Sequence, residues 1–128
     1  MKLRIKGDSI RLRLSQSEVN RFAESGEVQD EIRFGPGSAL TYRLCMEPEV
    51  PALAATFASD RIIIRVPTTL ATTWANTDQV GMEHNAPTGT DGKTLRILIE
   101  KDFQCLTVRP GEDESDNYPH PTGMHARG

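Results

Sequence analysis

The 128-residue sequence predicts an α+β domain: two β-β-α-β-β units, about eight mainly antiparallel strands, and two amphipathic helices packed on a shared core. Three observations predict it. Apolar residues alternate with polar ones at period two over short runs, which is strand patterning. Twice the period lengthens to that of a helix, after Ser15 and after Pro67. The second half of the chain repeats the first when shifted by 52 residues, laying Ile10 on Ile62, Arg13 on Arg65, Phe22 on Trp74 and Ala23 on Ala75. Neither half has enough strands to bury an apolar face alone, so the two are expected to pair about a pseudo-two-fold axis.

Each element follows from its residues. Leu3 and Ile5 alternate with Lys2, Arg4 and Lys6, and Ile10, Leu12 and Leu14 alternate with Arg11 and Arg13. The Gly7-Asp8-Ser9 turn between these runs makes them a hairpin with one wet face. Ser15-Gln16-Ser17-Glu18 has capping-box spacing, which starts a helix. Val19, Phe22 and Ala23 form that helix's apolar stripe, and Gly26 is its left-handed stop. Val28–Phe34 and Leu40–Leu44 read as strands around Gly35-Pro36-Gly37. In the second half, Phe57 precedes a Ser59-Asp60 turn and Ile62, Ile64 and Val66 form a strand. Pro67 suits a first helical turn, and Leu70, Ala71, Trp74 and Ala75 form the second stripe. Val80–His84 and Leu95–Ile99 are the last strands, and one residue of slack between them lays Thr41 on Thr94. The domain is expected to span residues 1–106, with repeats over about 1–50 and 53–105. Residues 107–128, acidic and rich in Pro and Gly, read as a tail.

Composition narrows the function. A net charge of −3 and a pI near 5.6 argue against a free nucleic-acid binder, which is usually basic. No run approaches the roughly 18 apolar residues of a membrane span, and the first residues lack a signal-peptide pattern. Two cysteines, Cys45 and Cys105, fit a reducing compartment, so a cytoplasmic protein is expected.

Four constellations can carry chemistry. Arg4, Arg11, Arg13, Arg33 and Arg43 fall at outward strand parities, and a guanidinium-lined sheet face suits carboxylates or phosphates. The plain alternative is a solvated face whose charges resist edge aggregation. Asp113, Ser115 and Asn117 fall at i, i+2 and i+4, the spacing that opens a calcium loop, and Asp116 between them is a further candidate ligand. Tyr118 stands where an EF-hand needs Gly and Met124 where it needs Glu, so only an irregular calcium site remains. Cys105, His120 and His125 match no compact zinc spacing. Asp102, Cys105 and His120 are the candidates for a base or nucleophile.

The strings Ile10-Arg11-Leu12-Arg13-Leu14-Ser15-Gln16-Ser17-Glu18-Val19, Arg33-Phe34-Gly35-Pro36, and Leu95 through Leu106 followed by Arg109-Pro110-Gly111-Glu112-Asp113-Glu114-Ser115-Asp116 resemble a family of short bacterial proteins of unknown function. The resemblance covers most of the chain. It implies that Cys105 and the acidic run belong to the domain, and it brings no settled activity. The leading expectation is therefore a binding or interaction domain, a monomer or homodimer, whose arginine face takes an anionic small molecule or protein. The competing expectation is a small calcium-dependent hydrolase acting on an ester or a lactone such as a signalling lactone. The site is expected where the acidic extension meets the arginines of the first half.

Overall fold

The computed structural model describes residues 1–103 and 115–119. The elements run β1 (Lys2–Ile5), β2 (Ser9–Leu14), α1 (Gln16–Ser25), β3 (Glu27–Gly35), β4 (Ser38–Glu47), β5 (Ala54–Ala58), β6 (Arg61–Pro67), α2 (Thr68–Asn76), β7 (Gly81–Pro87) and β8 (Thr94–Lys101). The order β-β-α-β-β thus occurs twice.

The strands form two four-stranded sheets, β1-β2-β8-β7 and β3-β4-β6-β5. Each sheet takes one hairpin from each half of the chain. Hairpins β1-β2 and β7-β8 meet through the parallel pair β2/β8, and β3-β4 meets β5-β6 through the parallel pair β4/β6. The central strands are therefore parallel and the outer pairs antiparallel. Period-two alternation cannot reveal this, because it fixes which face is buried and not which strand is the neighbour.

The inner faces bury Ile10, Leu12, Leu14, Ile97 and Ile99 from one sheet and Leu44, Ile64 and Val66 from the other, in one cluster with Phe22 and Trp74 from the helices. Those two rings meet edge to face, 6.1 Å between centroids. The Tyr42 hydroxyl donates to the Met1 carbonyl (2.9 Å), tying β4 of one sheet to the start of β1 in the other.

Backbone pairing corrects the alignment of the two halves. Met46 N–H donates to Gly26 C=O, and Lys101 N–H donates to Val80 C=O; Thr41 N–H donates to Asp60 C=O, and Arg96 N–H to Asp8 C=O. Thr41 thus occupies the position of Arg96, not Thr94, and Val28, paired with Leu44, that of Met82, paired with Ile99. The slip arises at the helix ends. α1 stops on Gly26 at φ 84°, its N–H donating to Phe22 C=O. α2 has no glycine there; it ends on Thr77 in extended conformation and takes additional residues to reach β7. Met46 and Lys101 consequently hold corresponding places in their sheets.

The capping expectation holds at α1, where the Glu18 carboxylate accepts from Ser15 N–H at 2.9 Å. Pro67 lies one position earlier than expected, at the N-cap of α2.

Candidate functional site

The five arginines singled out in the sequence do not converge. Arg4, Arg11 and Arg13 lie on the outer face of β1-β2, and Arg33 and Arg43 on the outer face of β3-β4, in the other sheet. Four of them meet carboxylates. Arg11 Nε donates to Glu100 (2.5 Å) and Arg13 lies 3.8 Å from the same oxygen. Arg33 pairs with Glu31 at 2.8 Å, and Arg43 pairs with Glu27. Arg4 makes no ion pair with the described residues. Such half-exposed pairs contribute little to stability, and they leave little uncompensated positive charge for a ligand.

Positions 115–119 form a strap against the first helix and the end of β8. Gln16 N–H donates to Asp116 C=O (2.9 Å), and the Gln16 side-chain amide donates to Asn117 C=O (3.0 Å). The Asp116 carboxylate accepts from Ser17 N–H (3.2 Å) and from the Ser17 hydroxyl. Asp116 is therefore an anion at the N-terminus of α1, where free N–H groups and the helix dipole favour it. Those hydrogen bonds, the Ser17 side chain's first, hold its pKa below the usual 3.8. Asn117 is buried and Ser115 exposed. Among the described residues no group of three or more His, Cys, Asp or Glu can hold a metal ion. Asp113, Cys105 and His120 lie outside the described residues.

Asp102 is buried, with its carboxylate 2.9 Å from Lys2 Nζ. Its backbone is engaged on both sides: N–H to Leu14 C=O, and C=O from Tyr118 N–H, both 2.8 Å. Asp102 thus anchors the strap, and the Phe103 and Tyr118 rings meet beside it at a tilt of 56°, 5.8 Å between centroids. Cys45 is a buried free thiol whose pKa is pushed up by burial.

The strap, both helices and β8 enclose a cleft of about 470 Å³. Gln16 and Asn20 line it from α1, Asn76 and Asp78 from the end of α2, and Phe103 and Tyr118 form an apolar wall. Lys101 lies in that lining. It shares the inward parity of Leu95, Ile97 and Ile99 and is only 6% exposed. Its Nζ donates to Thr77 C=O (2.6 Å), at the C-terminus of α2, and sits 5.9 Å from the Trp74 ring and 5.4 Å from the Tyr118 ring. Cation–π contact and the helix C-terminus both favour the charge. Among the described residues no carboxylate lies within ion-pair distance of it, and one acceptor serves three donors. Burial consequently lowers its pKa from 10.5, and the Asp78 carboxylate offsets only part of the drop. The signal for this residue in the sequence is parity, since Lys101 continues the inward series of positions 95, 97 and 99.

Fold and cleft define a small two-sheet α+β domain with a buried lysine in the lining of a cleft of mixed polarity. The chain belongs to a family of unknown function, DUF7009, whose model matches residues 1–122 and so includes the strap. No curated protein matches the sequence. No solved structure matches it either. No helix among the described residues is long and apolar enough to cross a membrane.

Proposed function

We propose that this is a binding domain whose ligand is a small organic anion, its carboxylate held by Lys101 and its apolar body against Phe103 and Tyr118. The observation that carries this reading is a buried ammonium with one hydrogen-bond acceptor and no carboxylate partner among the described residues, in the lining of a ligand-sized cavity. A buried charge that Asp78 offsets only in part is costly, so an anion beside it gains more than one on the open sheet faces. The arginines support this location: Arg11, Arg13, Arg33 and Arg43 already have carboxylate partners.

A thermal-shift series with acetate, benzoate and phenylacetate tests it. Ligands that bind the folded state raise the melting point by mass action. The aromatic acids are expected to raise it more than acetate, the neutral benzamide not at all, and Lys101→Met to abolish the response. Equal shifts in wild type and Lys101→Met would overturn the reading. The response is also expected to fade as pH rises through the lowered lysine pKa, since only the ammonium attracts the anion.

A further inference from the structure

The two sheets have four edge strands, and three are protected. β1 carries Lys2 and Arg4 and is only four residues long, β5 has five residues, and β7 ends in Pro87. Short, cationic or proline-bearing edges resist pairing with another chain. β3 is the exception: nine residues without proline, Glu27–Gly35, with Ile32 48% and Phe34 69% exposed.

The orientation of the free edge follows from the ladder. Met46 N–H donates to Gly26 C=O, so from Glu27 to Arg33 the even-numbered positions bond to β4 and the odd-numbered ones turn their N–H and C=O groups outward, before the register shifts between Arg33 and Gly35. Nearby side chains occupy some of these groups. The Ser25 hydroxyl donates to Glu27 C=O (3.0 Å), and Glu31 N–H reaches the Asp30 carboxylate (3.2 Å). Gln29 and Arg33 keep outward N–H groups with no hydrogen-bond partner among the described residues.

We propose that β3 pairs antiparallel with β3 of a second copy of this chain, centred on Ile32, joining two four-stranded sheets into one. The charges select this register. With Ile32 opposite its own copy, Glu31 falls opposite Arg33 and Arg33 opposite Glu31, each as a hydrogen-bonding pair of the new ladder. Both side chains are on the outer face, where they already form a 2.8 Å ion pair within the strand, and pairing exchanges that contact for two across the interface. A two-fold interface requires such self-complementarity, and the Glu31-Ile32-Arg33 triplet provides it. On the inner face the exposed Ile32 side chains meet across the axis.

Light scattering coupled to gel filtration on the full chain tests the proposal, with circular dichroism verifying that each variant is folded. Wild type is expected at twice the 14.2 kDa chain mass. Glu31→Arg places four arginines around the axis, and Arg33→Glu four glutamates; each is expected to weaken the dimer by about tenfold or more. The double variant, Glu31→Arg with Arg33→Glu, restores opposite charges and is expected to dimerise like wild type. A wild type that stays monomeric at high micromolar concentration overturns the proposal. So does a dimer indifferent to either single reversal, or a double variant that fails to regain it.

Discussion

The ends of the two helices solve one problem in different ways. α1 ends on a left-handed glycine, and its sheet offers Met46, whose Cγ lies 3.9 Å from where a Gly26 Cβ would stand. That end is closed by backbone turning and apolar packing. α2 ends on an extended Thr77, and its sheet offers Lys101, whose amine takes the Thr77 carbonyl. That end is held by a charge, and a cleft remains beside it. The same order of elements therefore yields one end built only for packing and one with room and charge for a ligand.

The largest expected effect lies in what the two ends share. Trp74 is fully buried, meets Phe22 edge to face, and donates from its indole N–H to Val80 C=O at 3.0 Å. Trp74→Ala is expected to cost about 3–5 kcal/mol, measured by urea unfolding. A smaller loss would mean that the helices are not the common core element. Next is Gly26→Ala, which forces a side chain into φ 84° at the closed end and is expected to cost about 1–2 kcal/mol.

Lys101→Met is expected to change stability by less than about 1 kcal/mol near neutral pH. It gives up a hydrogen bond and cation–π contacts but also a buried charge, and it recreates the side chain used at the closed end. Its pH dependence is the sharper measurement. The folded-state pKa lies below 10.5, so between the two values the unfolded chain binds more protons than the folded one. Wild-type stability therefore rises with pH through that window relative to Lys101→Met. The smallest effect is expected of Asp116→Asn. Its carboxylate pKa is lowered in the folded state, so its contribution is present above 3.8 and is lost as pH falls through the lowered value. Wild type and Asp116→Asn should differ in melting point near neutrality and converge in strong acid.

Much of the fold is legible in the sequence because its causes are local. Alternation in Ile10–Leu14 and Ile62–Val66, the Ser15–Glu18 cap and Gly26 each act within a few residues, and each marks an element found in the structure. The exchange of hairpins between sheets depends on which strands meet at long range, and no local pattern encodes it. The two-residue slip after α2 was hidden because Val80, a β-branched residue in plausible register with Val28, supplies the carbonyl that accepts from Lys101 rather than the first paired side chain. The arginines were conspicuous as a class, yet Glu27, Glu31 and Glu100, scattered through the sequence, reach four of them. Lys101 was inconspicuous for the opposite reason. Its solitude depends on the fold, since a lysine between two acidic residues looks paired until strand parity sends it to the other side of the sheet from them.

Lys101 holds a buried charge that Asp78 offsets only in part, and an anion can join it. Its ammonium can be titrated directly by the NMR shift of its ε-carbon, assigned by the signal missing in Lys101→Met. The midpoint is expected below 10.5 in the free protein, rising toward the ordinary value when phenylacetate is added. A midpoint at or above 10.5 without ligand, unmoved by phenylacetate, would contradict it.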